Sequence, residues 1–205
     1  MYTLYTRAGS GGFVAEAALS ISGAPFKTVE VERGSTDTEF RRISPLNQVP
    51  VLTLPDGRSI TESAAICILI ADLYPAAGLS PRADSPDRPE FLRWMLFMSS
   101  VLYPVLLRVF YAHRYSASPA GLEEVRAIGL KETDRAFEIM NQAMQGRDWL
   151  VGDRQSIADV YLLMLGCWHP VNDRLREEWT DLVRHAETVK RLPAIDALNA
   201  NHRMW

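Results

Sequence analysis

The sequence predicts an α/β domain followed by an all-helical domain, and three observations support this prediction. Strand-like and helix-like segments alternate over residues 1–76, as in domains built on a partly parallel sheet. Residues 77–88 form a linker rich in proline, serine and aspartate. Beyond the linker, over residues 89–205, apolar side chains recur only at the spacing of helices.

The first domain is predicted to have the element order βαβαββα. Residues 2–5 form the first strand, residues 11–22 form a helix that Gly23 should end, and residues 26–31 form the second strand. Two strands joined through a helix favour parallel pairing. We therefore expect the sheet to start from a parallel pair.

The second half of this domain contains a short helix, a hairpin and a closing helix. Residues 38–43 have helical spacing, and residues 51–61 form a hairpin around the turn Pro55-Asp56-Gly57-Arg58. Residues 63–73 are apolar almost all round. A helix of that kind is expected to be packed on two sides.

The helical domain is predicted to contain one interrupted helix and one strongly capped helix. Pro104 lies inside the first long apolar pattern, where its missing N–H should kink the helix. Ser156 and Asp159 have the spacing of a capping box at the start of a later helix. Two shorter helices are expected near residues 173–186 and 194–199.

Composition argues against several classes of function. A formal net charge of −3 argues against nucleic acid as the main partner. No apolar run looks long enough to span a bilayer, and Met1 leads directly into the first strand, so we expect a cytoplasmic protein. Cys67 and Cys167 lie in apolar helical patterns without a C-x-x-C pair, which favours buried, reduced thiols. The four histidines lack the spacing of metal ligands, so we expect no metal.

Two short motifs in the first domain have the chemistry needed to hold a small peptide by its backbone. Pro50 has no N–H for a sheet and belongs at the start of a strand, where its ring would turn Val49 outward with a free N–H and C=O. Ser63 starts the closing helix after Glu62, and a hydroxyl beside first-turn N–H groups favours a carboxylate. One peptide with a carboxylate would satisfy both motifs.

The turn between the first strand and the first helix reads Thr6-Arg7-Ala8-Gly9-Ser10-Gly11-Gly12-Phe13. Gly9 and Gly11 supply two glycines of a G-x-G-x-x-G motif, but Val14 occupies the third place. The hairpin downstream also departs from a nucleotide-binding sheet, so dinucleotide binding is disfavoured. Ser10 stands at the start of the helix, where it is either a plain N-cap or a hydroxyl offered to a ligand.

Taken in order, these motifs resemble the glutathione transferase family. The resemblance rests on Leu4-Tyr5 through Ser10, the Gln-Val-Pro and Glu-Ser motifs, and Ser156-Ile157-Ala158-Asp159. It covers the whole chain. It implies a thioredoxin-like α/β domain followed by an all-α domain.

The resemblance also implies a catalytic residue. The first turn is similar to the L-Y-x-x-P-G-S turn of serine-type members, with Ala8 where that motif has proline. On this comparison Ser10 activates the thiol of glutathione. Against the P-G-A-C-S turn of cysteine-bearing members, Gly11 and Gly12 replace the cysteine and the serine. Mixed-disulfide chemistry at this turn is therefore disfavoured.

The glutathione site implied by the resemblance uses both peptide-holding motifs. Ser63 would take the γ-glutamyl carboxylate, with Glu62 beside the amine. Val49, placed by Pro50, would pair through its backbone with the cysteinyl part, in the manner of strand addition. The full set of residues expected to bind glutathione is Asn47, Gln48, Val49, Pro50, Glu62 and Ser63.

The second substrate is expected between the domains, against an aromatic wall that carries arginine. Such a wall suits a flat electrophilic small molecule with some negative charge. The residues expected there are Tyr103, Phe110, Tyr111, Arg114 and Trp168. The resemblance further implies a homodimer in which the long helices of one copy meet the first domain of the other.

The function expected from the sequence is that of a glutathione transferase, with glutathione as co-substrate and nucleophile. Peroxidase, isomerase and dehalogenase activities with glutathione remain open within the same class. A rival from another class is a non-catalytic member that keeps the fold as a binding or regulatory protein. Departures at Ala8, Gly11, Gly12 and Ser44 would be tolerated by such a member.

Overall fold

The computed structural model describes residues 1–170 and 177–205. Its first half is a four-stranded mixed sheet with three helices, in the predicted order βαβαββα. The elements are β1 (Tyr2–Thr6), α1 (Gly12–Ser22), β2 (Phe26–Glu30), α2 (Thr38–Ile43), β3 (Val51–Thr53), β4 (Ser59–Ile60) and α3 (Ser63–Leu73).

The sheet has the strand order β2-β1-β3-β4. Strands β1 and β2 are parallel, with Leu4 opposite Thr28, which confirms the parallel pair expected from a strand–helix–strand unit. Strand β3 is antiparallel to β1, with Leu52 opposite Leu4, and it forms the predicted hairpin with β4, where Leu52 faces Ile60. This topology brings the C-terminal end of β1 and the start of β3 together at the same end of the sheet.

The second half of the described chain is helical. Its helices are α4 (Arg88–Phe97), α5 (Tyr103–Phe110), α6 (Pro119–Met144), α7 (Ile157–Cys167), α8 (Thr180–Lys190) and α9 (Pro193–His202). Helices α8 and α9 overlap the two predicted short helices, but α8 begins only at Thr180 and ends at Lys190, where the prediction was 173–186; residues 173–176 of that prediction lie outside the described residues. The predicted capping box is present at α7: Ser156 accepts from the N–H of Ala158, while Asp159 accepts from the N–H of Ser156.

The long helix around Pro104 is interrupted as expected. A π-helical turn over Met98–Leu102 joins α4 to α5, and Pro104 stands in the first turn of α5. The interruption follows from the missing N–H of proline, which removes one helical hydrogen bond. Within the turn, the Ser100 hydroxyl donates to the carbonyl of Leu96 at 2.7 Å.

The same segment bears on the expectation that no apolar run could span a bilayer. Through the π-helical turn, Arg88–Phe110 is a continuous helix of 23 residues with a mean hydropathy of 1.3, long and apolar enough to cross a membrane. One face of the segment packs against α6 and α7, which accounts for part of its apolar character. Only 33% of its most apolar window is buried.

Helix α1 ties the two halves together. It packs on α3 within the sheet domain and on α7 and α9 of the helical domain, so its N-terminus lies at the junction. Its start is held very close to β1, because a Cβ on Gly12 would lie 1.8 Å from the Thr6 hydroxyl oxygen. Only glycine fits there. Gly23 ends the helix with a φ of 68°, as predicted.

Candidate glutathione site

Ser10 lies at the start of α1 with both hydrogen-bonding functions of its hydroxyl in use. Its Oγ donates to the carbonyl of Arg7 at 2.6 Å and accepts from the N–H of Gly12 at 3.1 Å. The side chain is buried. These bonds close the turn before the helix, and the catalytic role expected of Ser10 stays a prediction.

Gly11 is the point where three parts of the molecule meet. A Cβ on Gly11 would lie 3.0 Å from Oη of Tyr103, which comes from the helical domain, and 3.6 Å from Cδ of Pro50. The N-terminus of α1, the start of β3 and α5 therefore converge around one glycine. A helix N-terminus at this junction favours negative charge, such as a thiolate.

Val49 and Pro50 lie beside this junction and are joined by a cis peptide bond. Pro50 is buried, and β3 begins only at the next residue. In the described chain the N–H and C=O of Val49 form no hydrogen bond. They are the kind of free backbone pair to which an extended peptide can add as a strand.

Glu62 and Ser63 form the second half of the predicted site. Glu62 is the residue before α3 and has a φ of 66°, a conformation that costs a non-glycine residue roughly 1–3 kcal/mol and is often retained at binding sites. Ser63 is buried, and its Oγ lies 2.8 Å from Oη of Tyr161 on α7. Burial raises the pKa of Tyr161, so this phenol is neutral and able to donate.

The predicted residues for the glycyl end lie in a loop held by Ser44. Ser44 is buried, and its hydroxyl donates to the carbonyl of Gln48 at 2.7 Å and accepts from the Gln48 N–H at 3.0 Å. Asn47 has a φ of 54° and its amide donates to the carbonyl of Ser35. The Gln48 side chain is exposed. The structure thus shapes the loop beside Val49, and one amide donor of Asn47 is already used.

Two of the five residues expected to bind the electrophile contact each other directly. The rings of Tyr103 and Trp168 meet edge to face, with centroids 5.3 Å apart. Tyr111 forms a second group, in which the guanidinium of Arg114 lies 4.3 Å from the ring centroid and that of Arg33 lies 5.3 Å away.

The two groups are close enough to act on each other electrostatically. Burial raises the pKa of Tyr103 to about 12; Tyr111 and Glu62 raise it further, and Arg7 and Arg114 oppose the rise. Phe110 is half exposed at the end of α5, and the structure assigns it no contact with the other predicted residues. Of the residues predicted to form the aromatic wall, Tyr103 is therefore the one that contacts Trp168 and also interacts electrostatically with Tyr111 and Arg114.

A separate cavity of about 340 Å³ lies between α7, α8 and the C-terminal residues. Cys167, Lys190 and Trp205 line it, and Trp205 packs edge to face on Phe13 of α1. Cys167 is half-buried where burial was expected, because it faces the cavity.

Three residues of the site were missed by sequence reasoning. Tyr161, Arg33 and Ser44 reach the site through contacts between distant parts of the chain or within a loop. Only Tyr161 carried a signal, as the single hydroxyl on the buried helix α7. Its partner could not be identified without the fold.

Two family models match the chain. One is described as the glutathione S-transferase N-terminal domain and matches residues 4–79; the other, the C-terminal domain, matches residues 94–193. The chain is 28% identical over 166 residues to glutathione S-transferase GST-4.5 of Xanthomonas campestris pv. campestris, covering 80% of this chain and 81% of that protein. It is also 28% identical over 174 residues to the disulfide-bond oxidoreductase YfcG of Escherichia coli, covering 80% and 74%.

Solved structures agree with these matches. A sphingomonad glutathione S-transferase complexed with glutathione has a TM-score of 0.84 and 26% identity, with 99% of this chain and all of that chain covered. The bacterial transferase BphK, solved as a ternary complex, has a TM-score of 0.87 and 25% identity, with 98% and 99% covered. The matches to both domains and over almost the whole fold agree: the chain belongs to the glutathione S-transferase family.

Proposed function

We propose that this protein is a glutathione transferase that adds the thiolate of glutathione to an electrophilic carbon of a small molecule. The observation that carries the proposal is the convergence at Gly11, where the helix N-terminus, Pro50 with its unpaired neighbour Val49, and Tyr103 come together. Relatives of similar fold were solved with glutathione. Glutathione would pair with Val49 and end at Ser63, which leaves its sulfur near Gly11.

The chemistry asked of the protein is to ionise the thiol. A reference thiol has a pKa near ~8.5 and is roughly 3% thiolate at pH 7. Lowering this pKa to ~6.5 requires about 2.7 kcal/mol of preferential stabilisation of the thiolate. One hydrogen bond to the charged sulfur, ~1.5–3 kcal/mol, together with a helix N-terminus, ~0.3–1 kcal/mol, supplies that amount. No covalent enzyme intermediate is needed.

The electrophile is proposed to carry negative charge. The ring of Tyr111 lies within 5.3 Å of the guanidinium groups of both Arg33 and Arg114, one from each domain. This pair would attract an acidic or nitro-substituted aromatic substrate and stack beside it. An aryl halide with a carboxylate should therefore be conjugated faster than its neutral analogue, and Arg114→Gln should remove most of the difference.

Retention on immobilised glutathione, together with conjugation of an aryl halide, tests the proposal. The wild-type protein should be retained, eluted by free glutathione, and active. Ser63→Ala should weaken retention, because it removes the hydroxyl expected to bind the γ-glutamyl carboxylate. Ser20→Ala, on the exposed face of α1, is the matched control and should behave as wild type. Failure of the wild type to bind would reject the proposal.

A non-catalytic role is the second candidate, and the state of Ser10 favours it. The hydroxyl proton of Ser10 is used by the Arg7 carbonyl, so this side chain is not free to activate a thiol as it stands. A binding protein of this kind would be retained on glutathione yet show no conjugation and no lowering of the bound thiol pKa. The same assays therefore separate the two candidates.

We also propose a homodimer in the cytoplasm. The apolar helix Arg88–Phe110 is mostly uncovered in one copy, and a groove on it and α6 is lined by Phe97, Val101, Pro104 and Ile139. Leu96 and Val101 are 57% and 41% exposed. A second copy of the chain packed on this face would cover them, in line with the pairing expected from the family resemblance.

A further inference from the structure

Tyr103 presents its hydroxyl to the junction at Gly11 from the opposite domain. Its Oη lies 3.0 Å from the position of a Cβ on Gly11. Within the described residues this hydroxyl forms no hydrogen bond with the protein, and Tyr103 is partly buried. Its O–H is therefore free to donate to a ligand bound at the junction.

The ring is held so that the hydroxyl points into the junction. Trp168 meets it edge to face at 5.3 Å, and Pro104 fixes the backbone directly after it. Burial keeps the phenol protonated, with a pKa of about 12. The Tyr103 hydroxyl therefore keeps its proton at every pH near neutrality and can donate a hydrogen bond there.

Ser10, the other hydroxyl at the turn, is differently placed. Its one proton goes to the Arg7 carbonyl, and its oxygen accepts from Gly12. Donating to a ligand would break the bond that closes the turn. Tyr103 can donate without losing any bond, which makes it the better donor of the two.

We propose that Tyr103 is a catalytic residue that donates a hydrogen bond from Oη to the sulfur of bound glutathione and stabilises its thiolate. This inference rests on the proposed function, because it concerns the same site. The thiol proton leaves to solvent, Tyr103 keeps its own proton, and no electrons are exchanged with the protein. The sulfur then attacks the electrophilic carbon of a substrate held beside Trp168 and forms a C–S bond; with an aryl halide the C–halogen bond breaks and the halide ion leaves to solvent with its electron pair.

Gly11 leaves room for the Tyr103 hydroxyl at the helix N-terminus. A side chain on Gly11 would occupy the space between the helix N-terminus and Oη, since its Cβ would already be 3.0 Å from that oxygen. The backbone at Gly11 has a φ of −59°, which any residue adopts. A side chain at residue 11 would therefore push the Tyr103 hydroxyl away by a few tenths of an ångström, while the backbone itself would accept one.

The test is a titration of thiolate absorbance in the protein saturated with glutathione. Tyr103→Phe keeps the ring and removes only the donor. The pKa of the bound thiol should rise by roughly 1 to 2 pH units, with conjugation at neutral pH falling roughly 10- to 100-fold. Glutathione affinity should change little. Much of the lost rate should return in alkaline buffer, where solvent ionises the sulfur without help.

Other charged or titratable groups near the Tyr103 hydroxyl are Arg7, Glu62, Tyr111, Arg114 and Tyr161.

Tyr115→Phe, at an exposed tyrosine of the same domain, is the matched control and should leave the thiol pKa unchanged. Gly11→Ala should raise the thiol pKa in the presence of Tyr103 and add little in the Tyr103→Phe background, because both changes disturb one contact.

Two results would overturn the inference. One is a Tyr103→Phe protein that binds glutathione with an unchanged thiol pKa. The other is a full rise of that pKa in Ser10→Ala with none in Tyr103→Phe, which would assign the donor to Ser10. Failure of the wild type to bind glutathione would instead reject the proposed function, and the resin assay detects that separately.

Discussion

Ser63 Oγ and Tyr161 Oη lie 2.8 Å apart, in a buried hydrogen bond that joins the first residue of α3 to α7. A residue of the helical domain thus hydrogen-bonds to a serine of the sheet domain that is predicted to bind glutathione. If Tyr161 donates to Ser63, the proton of Ser63 remains free for a ligand carboxylate. The orientation of this serine is then set from across the domain boundary.

Tyr161→Phe should weaken glutathione binding about 2- to 10-fold, the effect of losing one neutral hydrogen bond. The reason is that Ser63 Oγ would lose the donor that orients it toward the ligand. Calorimetric titration with glutathione measures the change. Tyr74→Phe, which removes a phenol hydroxyl at the other end of α3, is the control and should bind normally. Unchanged affinity in Tyr161→Phe would mean that Tyr161 only packs.

Glu16→Ala should destabilise the fold and loosen the active turn. The Glu16 carboxylate lies 2.9 Å from Nε2 of His202, and both side chains are buried where α1 meets α9. Removing one partner should cost about 1–3 kcal/mol, or roughly 2–4 °C in Tm for each kcal/mol. The carbonyl of His202 also lies 3.8 Å from a Cβ position on Gly9, so α9 supports the turn itself.

The measurement is the Tm of Glu16→Ala compared with the Tm of the control variant Glu187→Ala. Glu187 pairs with Lys190 on the exposed side of α8, where an ion pair contributes little to stability. A similar Tm for the two variants would show that the Glu16 pair has no special role. A lower Tm for Glu16→Ala alone would locate the stabilisation at the junction of α1 and α9.

The order of elements and both peptide-holding motifs could be predicted because each depends on neighbouring residues. Proline without an N–H marks the start of β3, a serine marks the start of α3, and Ser156 with Asp159 marks that of α7. Local rules of this kind act over a few residues, so they survive without knowledge of the fold.

The partners of these motifs could not be predicted, because they come from distant parts of the chain. Nothing in the sequence around Gly11 indicates that the Tyr103 hydroxyl lies where a Gly11 side chain would be. Nothing around Ser63 indicates its hydrogen bond to Tyr161. The state of Ser10 was also hidden, since its bond to Arg7 depends on how the turn closes. The sequence therefore predicts where the candidate site lies, while the proposal of Tyr103 as donor depends on the geometry.

Neither cysteine should take part in thiol–disulfide exchange. Burial raises the pKa of Cys67 well above its usual range, and its sulfur donates to the carbonyl of Val14 at 3.6 Å. Burial raises the pKa of Cys167 to about 11, with Lys190 opposing the rise. At neutral pH such a thiol is ionised in roughly one molecule in 10,000, and only the thiolate reacts.

Labelling with a coloured disulfide reagent before and after denaturation measures this shielding. Native protein should react slowly, and denatured protein should release both thiols. Cys67→Ala and Cys167→Ala should retain conjugation. Rapid native labelling, or fast reduction of a mixed glutathione disulfide that is lost in these variants, would show that a protein thiol takes part, and the comparison with YfcG makes the assay worth running.

Val101→Glu should convert a dimer into monomers. Val101 is 41% exposed in the π-helical turn and lines the groove with Phe97 and Ile139, where a second copy would bury it. Arg108, Glu132 and Arg135 also line this groove, and Arg108 is already paired with Glu132. Placing another carboxylate in the interface removes it from water, which costs several kcal/mol where no new ion pair forms. In one isolated copy the same side chain remains in water, so the fold should tolerate it.

Sedimentation at micromolar concentration measures the outcome. Wild type should sediment as a dimer, and Val101→Glu as a monomer with an unchanged circular dichroism spectrum. Ala197→Glu, at an exposed position of α9, adds the same charge away from the groove and should remain dimeric. A monomeric wild type would reject the dimer. A Val101→Glu protein that stays dimeric would count against an interface at this groove.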